Sequence, residues 1–500
     1  MQGRSVIIRA GITLALLMVF VVHVAGIGNI RLVSQLENFA YDARVRLTMP
    51  GAGDSQVVIL DIDERSISAE GQWPWPRDRL AATLDQLFDR YHARAVGFDM
   101  AFPEADRNVG AELLRELAEG ELATDEAYRQ AYARLLPELQ TDERFARSFQ
   151  DRKVVLGYVF RPFAFEDADN ALGALPSPLF RADDVSPALV FLKPEGYTAN
   201  VPVLQQYAAS GGFFDNPVVD SDGVFRRVPA LQQYKGDVYA SLGVELARAA
   251  LGWEKLEFVW ASGAEVRDNN HLERLQIGNL EIPVDGDLAL YVPYRGPSFT
   301  IPYVSAVDVL RGTADAKLLR DKVVLVGTSA PGLLDARVTP VSENFVGVEV
   351  HANIVDGILN QRIKYHPPYM MGAHILLLVL LAVLTTFILA RFPVVPAMLG
   401  TLLLAALLVA GNLLLWQNAD FIVPLASPLL FMALVFVLQT VYGLLIESRG
   451  KRYLSQMFGQ YVPPELVEEM DRDRQEISLE GESRDMSVLF SDVRGFTSVS

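Results

Sequence analysis

A short apolar run near the end of the sequence is followed by a carboxylate and a glycine. Residues 488–490 have the composition of a β-strand, and Asp492 and Gly495 come directly after them. A carboxylate that meets free backbone amides at a strand end can build a metal-phosphate site. Mg²⁺ prefers one or two carboxylates plus substrate phosphates, and amides at a helix start bind phosphate charge. The same spacing is also typical of an ordinary strand-to-helix turn.

The particular amino acids of this stretch favour the metal-phosphate interpretation. Residues 490–497 read Phe-Ser-Asp-Val-Arg-Gly-Phe-Thr, which closely resembles the opening signature of the class III adenylate/guanylate cyclase catalytic domain. Residues 458–467 and 479–482 resemble the approach to that signature. The resemblance implies that Asp492 is the first metal-bridging carboxylate and that Val493 contributes its backbone carbonyl. The amides of Gly495, Phe496 and Thr497 would hold phosphate.

Class III cyclases convert a nucleoside triphosphate to its 3′,5′-cyclic monophosphate and pyrophosphate. The resemblance therefore implies two Mg²⁺ (or Mn²⁺) ions per active site and a homodimer that completes the site. ATP is preferred to GTP as the expected substrate because adenylate cyclases are the commoner members. The second metal carboxylate, the base-selecting residues and the transition-state Asn and Arg are expected after Ser500. A chain that ends at Ser500 is therefore expected to be inactive.

Composition limits what the rest of the chain can be. Its 500 residues predict about three folding units. Hydrophobic residues make up 51% and the mean hydropathy is +0.21, which predicts membrane segments. The absence of cysteine excludes disulfides, zinc-thiolate sites and a cysteine nucleophile. The net charge of −17 argues against a nucleic-acid partner, because such a partner requires a basic face.

Four long apolar stretches predict helices that cross a lipid bilayer. They are residues 6–28, 369–390, 394–416 and 421–446. The first is interpreted as a retained signal-anchor, with a cleaved signal peptide as the alternative. If the four helices alternate, the basic residues Arg4, Arg9, Arg391, Arg449, Lys451 and Arg452 fall on one side and Asp420 on the other. The region between the first two spans is therefore predicted to face outward, and the C-terminus inward.

Residues 36–367 contain no span and have the pattern of an α/β domain. Strand-like apolar runs recur at residues 57–60, 95–98, 154–156, 288–291 and 323–326, with helical stretches between several of them. Continuous apolar strands that alternate with helices predict a largely parallel sheet covered on both faces. Residues 111–147, rich in Ala, Glu, Leu and Arg, predict a helical insertion or a helical layer over the sheet.

Several short sequence motifs in this domain resemble those of the CHASE type 2 extracytoplasmic sensor domain of bacterial signalling proteins. They occur in order at residues 36–44, 62–66, 73–77, 97–99, 220–226, 327–340 and 347–353. Their members include Glu37, Asp42, Arg44, Asp220, Arg226, Asp335, Gly347 and His351. The resemblance implies a sensor for an unknown extracytoplasmic ligand.

Carboxylates at strand ends, with nearby aromatic residues, are the best candidate for the ligand site of that sensor. Asp61, Asp63 and Asp99 follow two strands of one predicted sheet, at the edge where open α/β sheets bind ligands. Trp73, Trp75 and Arg77 could line this crevice, since aromatic faces give contact area and a guanidinium recognises anions. In the alternative interpretation, the carboxylates cap helices and the tryptophans pack in the core.

A hydrolase is disfavoured. Residues 327–331, Gly-Thr-Ser-Ala-Pro, are similar to a nucleophile elbow, but that turn needs glycine where Pro331 stands. His351 lies on a helix predicted over residues 348–359, where a structural hydrogen bond is the more common role.

Residues 447–483 are predicted to form a signalling helix and a linker. Apolar residues recur at three- and four-residue steps, namely Tyr453, Leu454, Met457, Phe458 and Tyr461. This stripe predicts either packing against the next domain or a dimer seam that carries movement from the membrane. Pro464 suits the first turn of a further helix at residues 465–470.

Together these features predict a multi-domain protein of the bacterial inner membrane. An α/β extracytoplasmic sensor domain and four transmembrane helices precede the start, at residues 484–500, of an α+β (ferredoxin-like) cyclase domain in the cytoplasm. The expected function is a receptor-type cyclase that converts ATP to cyclic AMP. The alternative is a non-catalytic membrane sensor that passes its signal to another output. A transporter is disfavoured because the spans lack charged residues near their centres.

Overall fold

The computed structural model describes residues 2–106, 109–163, 170–261, 263, 266–269, 271–333, 335–444, 485 and 487–490. The chain falls into two compact units, residues 1–435 and 436–500. The first unit contains the α/β domain, and the second contains the predicted linker and the start of the predicted cyclase domain.

Strands and helices follow one another along most of the described residues. The strands are β1 (Val57–Asp61), β2 (Ala95–Phe98), β3 (Val154–Arg161), β4 (Ala171–Leu172), β5 (Gly196–Thr198), β6 (Ser210–Phe213), β7 (Arg227–Pro229), β8 (Leu231–Tyr234), β9 (Asp237–Ala240), β10 (Leu256–Trp260), β11 (Leu272–Ile277), β12 (Leu280–Pro283), β13 (Ala289–Tyr291), β14 (Tyr303–Ser305), β15 (Val323–Gly327), β16 (Ala336–Arg337) and β17 (Phe345–Val346). The α-helices are α1 (Gln2–Val24), α2 (Arg31–Thr48), α3 (Glu64–Glu70), α4 (Arg77–Asp85), α5 (Val109–Glu119), α6 (Glu126–Leu139), α7 (Thr141–Arg147), α8 (Pro202–Tyr207), α9 (Leu242–Ala250), α10 (Ala306–Leu310), α11 (Ala316–Leu319), α12 (Gly347–Leu359), α13 (Met370–Arg391), α14 (Val394–Asn418) and α15 (Ala426–Tyr442). A π-helical turn, Gln86–Arg90, follows α4, and a 3₁₀ turn lies at Ala182–Asp184.

A mostly parallel sheet forms the centre of the α/β domain. Six strands run parallel in the order β14-β1-β15-β2-β3-β6, and the short strands β5 and β4 extend the sheet from β3. This confirms the predicted largely parallel sheet. Four of the five predicted strands lie in it, as β1, β2, β3 and β15. The fifth, β13, instead pairs antiparallel with β7.

Side chains of the central strands alternate between two hydrophobic cores. In β15, Val323 and Leu325 enter the core covered by α9 and α12, whereas Val324 and Val326 enter the core beneath α4, α7 and α10. Because both faces are covered, these strands are apolar at nearly every position. The carboxyl ends of β1, β15 and β2 meet at one edge of the sheet.

The predicted helical stretch at residues 111–147 divides into two parts with different roles. The helices α5 and α6 pack on each other and bury no described side chain. We name this pair the helical arm. Phe145 and Ala146 of α7 are instead completely buried in the core beside the sheet. The insertion and the layer that the sequence predicted as alternatives are therefore both present.

Three helices of the described residues are long and apolar enough to cross a membrane: Ile7–Val24 within α1, α13 and α14. The helices α1 and α13 pack together, with 3.0 Å between the hydroxyl oxygens of Thr13 and Thr386. Within the fourth predicted span, residues 421–446, the described residues form the helix α15, which begins later than expected. Over the described residues α15 has 17 residues, fewer than the three candidate spans. It begins late because Phe421 forms a β-bridge with Tyr365, which holds the preceding segment extended.

The described residues of the second unit do not form the predicted strand. Residues 487–490 are irregular, and Leu489 and Phe490 are 90% and 92% exposed. A strand needs a partner for its backbone hydrogen bonds and a covered face for its side chains, and the described part of the chain provides neither here. The predicted site residues Asp492, Val493, Gly495, Phe496 and Thr497 lie outside the described residues, as does the linker at 447–483. Those assignments stay predictions.

Candidate functional site

The carboxylate of Asp61 lies at the predicted sheet edge, but both of its oxygens already accept hydrogen bonds from within the protein. It accepts hydrogen bonds from the amide and the hydroxyl of Ser329, at 2.9 and 2.5 Å, just after β15. Burial raises the pKa of Asp61, and the hydrogen bonds from Ser329 oppose that rise. Since the Ser329 hydroxyl contacts a carboxylate and not a histidine, its position agrees with the sequence argument against a hydrolase.

Asp63 and Trp75 have structural roles. Asp63 caps α3, because its carboxylate accepts from the amide of Ser66 at 2.8 Å. Trp75 is 1% exposed and packs edge-on against Trp73, with ring centroids 6.0 Å apart. This confirms, for Asp63 and Trp75, the alternative interpretation of capping carboxylates and packed tryptophans.

Arg77 is also held by the protein itself. Its guanidinium lies over the ring of Phe102, 4.5 Å from the centroid, and contacts Asp142 at 3.3 Å. Trp75 lines an apolar gap of about 10 Å³, whereas Asp99 lines a separate polar pocket. The structure therefore does not bring the six residues of the predicted ligand site into one cavity.

Asp99 belongs to a small group of polar residues at the carboxyl edge of the sheet. We name it the edge pocket; it is lined by Asp99, Asn216, Asp335, Arg337 and His351, among others. The Nε2 of His351 lies 3.9 Å from Oδ1 of Asp99, too far for a hydrogen bond. The Nδ1 of His351 is buried and has no hydrogen-bond partner among the described residues.

Burial controls the protonation of this pocket. It raises the pKa of Asp99 to about 7, with the charge of Asp335 adding to the rise and Arg337 opposing it. It lowers the pKa of His351 to about 4, and a hydrogen bond with the backbone of Phe214 opposes that shift. The cavity measures about 20 Å³, which is room for one water molecule. The edge pocket can therefore hold a water and exchange a proton, but it cannot enclose an organic ligand.

A second cluster joins α2 to the helices at the membrane, and we name it the membrane junction. Glu37 on α2 caps the start of α15: its carboxylate accepts from the amides of Leu425, Ala426 and Ser427 at 2.7, 3.0 and 3.2 Å. A carboxylate at this position satisfies amides that have no partner within the helix, and its charge matches the positive end of the helix dipole.

Arg44, further along α2, binds α14 and the segment before α15. Its side chain is 3% exposed and donates to Oδ1 of Asn412 and to the carbonyl of Val423, both at 2.8 Å. Its guanidinium also lies over the ring of Trp416, 4.8 Å from the centroid. The Nε1 of Trp416 donates in turn to the hydroxyl of Thr48 at 2.8 Å. The second half of α2 is thus attached to α14.

Arg226 fixes the same helix to the α/β domain. It is 3% exposed and donates to both carboxylate oxygens of Asp42 on α2, at 2.7 and 2.8 Å. It also binds Asp220 and Asp222, and its hydrogen bond lowers the pKa of Asp222. Since α2 is held by the domain on one side and by α14 and α15 on the other, it can transmit movement between them.

We expect Glu37→Ala to lower the free energy of unfolding by about 1–2 kcal/mol, because three amides at the start of α15 lose their acceptor. Thermal unfolding of the detergent-solubilised protein measures this. Glu119→Ala on the helical arm, where the side chain is exposed, is the matched control and should change stability by less than about 0.5 kcal/mol. Equal midpoints for the two variants would contradict the capping role.

The fold and the membrane junction define an α/β domain that is attached directly to apolar helices of membrane-spanning length. Residues 14–388 match the CHASE2 domain family, and the chain belongs to that family. CHASE2 is an extracytoplasmic sensor domain, so the protein is a membrane protein of the receptor-type signalling class. The match starts within α1 and ends within α13, and it does not reach residues 484–500. No curated protein and no solved structure matches the chain.

Several residues of the edge pocket and the membrane junction stand out in the sequence only because they lie in motifs that resemble the CHASE type 2 family. Glu37, Asp42, Arg44, Arg226 and His351 belong to those motifs, but their partners are not evident there. Glu37 and the amide of Ala426 are 389 positions apart, and Arg226 and Asp42 are 184 apart. No local spacing connects residues at such separations, so the clusters become visible only in the fold.

Proposed function

We propose that the protein is a receptor-type nucleotide cyclase of the bacterial inner membrane. An extracytoplasmic CHASE2 domain would control the conversion of ATP to cyclic AMP and pyrophosphate on the cytoplasmic side. The observation that supports cyclase activity is the sequence motif at residues 490–497, around Asp492. The family match and the membrane junction support the receptor part.

The charge distribution supports four crossings, with α15 as the last. Three helices have the length of a span, and α15 is a shorter apolar helix that follows them. Four alternating crossings place Arg9, Arg391 and Arg449 on one side and Asp420 on the other, as the positive-inside rule requires. The sensor domain and the predicted catalytic domain would then lie on opposite sides of the bilayer.

The proposed chemistry assigns roles to five residues of the signature. Asp492 and the carbonyl of Val493 would supply the first ligands to two Mg²⁺ (or Mn²⁺) ions, and the amides of Gly495, Phe496 and Thr497 would orient the triphosphate. When bound, such ions lower the pKa of an attacking hydroxyl and stabilise charge on a leaving phosphate. Either ATP or GTP fits these contacts, because none of them reads the base.

The experiment uses the protein made from the complete gene, in membranes, with cyclic AMP and cyclic GMP measured separately. We expect cyclic AMP to form, and Asp492→Asn to reduce the rate by at least about 10²-fold, because a metal ligand is lost. Asp485→Asn, seven positions earlier and exposed, is the matched control and should retain the rate.

In the alternative function, the protein catalyses no reaction and passes its signal to a partner protein. If Asp492→Asn left the rate unchanged, or if no cyclic nucleotide formed, the catalytic proposal would be rejected and the CHASE2 sensor would act through another protein. Any residues encoded after Ser500 would discriminate as well. A second Asp in a hairpin, followed by an Asn and an Arg on one helix, would support the cyclase.

A further inference from the structure

A cavity of about 210 Å³ lies beside the membrane junction, and we name it the junction cavity. Its walls are formed by the end of α2, the segment after β13, the end of α12 with the segment after it, and the end of α14. Val45, Met49 and Trp416 contribute apolar surface to it. Trp416 lies near the end of α14, a helix long enough to cross a membrane. Since the end of a helix that crosses the bilayer lies at the level of the lipid headgroups, the cavity lies near that level.

The charges that line this cavity favour an anion. Asp356 is paired with Arg295 at 2.8 Å, and Asp420 is paired with Lys364 at 2.5 Å. The third cation, Arg362, is exposed and has no carboxylate partner in the ranges that the structure describes. Both acidic groups of the lining are therefore already neutralised, and one guanidinium remains uncommitted.

The side chain of Arg295 gives a second indication that the cavity binds an anion. Its side chain is only 5% exposed, and its Nε is buried without an acceptor among the described residues. A guanidinium has donors and no acceptor, so the missing partner must be an acceptor atom. A buried donor of this kind is costly to leave unpaired, and the residue that carries it lines the junction cavity.

We propose that the junction cavity binds the phosphate group of an anionic phospholipid from the outer leaflet. Guanidinium groups match phosphate oxygens in charge and geometry, and basic pockets beside membrane helices bind anionic headgroups. The cavity is smaller than the ~300–1,000 Å³ that encloses a whole drug-sized ligand. It therefore admits a headgroup while the acyl chains stay in the bilayer along its apolar side.

Such a lipid would touch α2, α14 and the segment after α12 at once. It would join the elements through which the α/β domain is attached to the membrane helices, and so make the sensor responsive to the lipid that surrounds it. The binding site is independent of the proposed cyclase activity, because every residue that lines it precedes residue 421. A failed cyclase assay would leave this proposal intact.

Thermal unfolding of the purified chain in a neutral detergent tests the site. Phosphatidylglycerol should raise the midpoint in a saturable manner, because a ligand that binds the folded state stabilises it. Phosphatidylcholine at the same concentration should have little effect. Arg362→Glu should weaken the apparent affinity for phosphatidylglycerol by about tenfold or more, and Arg362→Lys should retain most of it.

Two controls separate this site from general effects of charge and from a soluble ligand. Arg147→Glu changes an exposed arginine on α7 that does not line the cavity, and its response to lipid should equal that of the wild type. Soluble glycerol phosphate should stabilise the protein less than the lipid; equal stabilisation would assign the site to a free phosphate ester and reject the lipid. An unchanged response of Arg362→Glu, or equal effects of the two phospholipids, would overturn the proposal.

Discussion

Replacement of Arg226 with alanine should lower the free energy of unfolding by about 3–5 kcal/mol. The guanidinium is 3% exposed and pairs with Asp42, Asp220 and Asp222 at 2.7–2.8 Å. Its removal leaves Asp42, which is 9% exposed, as a buried charge with no other ion-pair partner among the described residues. The loss of one partner from a buried pair is costly because neither solvent nor another donor replaces the guanidinium.

The measurement is denaturant or thermal unfolding of the purified protein, with two comparison variants. Arg152→Ala also removes an arginine with two carboxylate partners, but Asp85 and Asp89 are 47% and 68% exposed. It should cost less than about 1 kcal/mol, as surface pairs do. Arg226→Lys should be intermediate, because lysine keeps the charge without the planar fork. If Arg226→Ala were no less stable than Arg152→Ala, the buried network would not hold α2.

The second large effect should come from Asp99→Asn, which we expect to stabilise the protein at pH 8 by up to about 4 kcal/mol. Below pH 3.8 the carboxyl is protonated in both folded and unfolded chains. As the pH rises, the unfolded chain ionises first, and stability falls until the folded pKa of about 7 is passed. Asparagine keeps the shape of the side chain and has no charge to bury, so it escapes this loss.

Unfolding midpoints between pH 4 and pH 8 test this expectation. The difference between Asp99→Asn and the wild type should be small near pH 4 and largest above pH 7. His351 has a lowered pKa of about 4, so its contribution is lost as the pH falls from 6.5 toward 4. Both proteins share that loss, and it cancels from the difference. Asp183→Asn, at an exposed position, should follow the wild type, and equal curves for all three proteins would contradict a buried Asp99.

The sequence was sufficient for the features that are repeated along the chain. Apolar runs such as residues 323–326 predict buried strands because a strand covered on both faces needs apolar residues on both. β6, Ser210–Phe213, was missed because two glycines remove that signal. The late start of α15 was missed for a different reason. It depends on the pairing of Phe421 with Tyr365, which no local pattern records.

The candidate site was predictable only in part. The rule that ligands bind at the carboxyl ends of parallel strands placed Asp61 and Asp99 at the correct edge. It could not show that Ser329 donates hydrogen bonds to the carboxylate of Asp61 or that His351 lies beside Asp99, because these partners come from distant parts of the chain. The cap that Glu37 places on α15 is non-local in the same way. Hydrophobic periodicity identifies elements, whereas polar side chains find partners only after the elements have packed.

The helical arm has a practical consequence for work on living cells. Since α5 and α6 bury no described side chain, the turn near Gly120 that joins them is a point where extra sequence can be accommodated without disturbing the sheet. A fluorescent reporter or an epitope inserted there would project from the sensor, distant along the chain from both α2 and α14. Its accessibility to a non-permeant antibody on spheroplasts, whose outer membrane has been opened, would report the side of the inner membrane on which the domain lies.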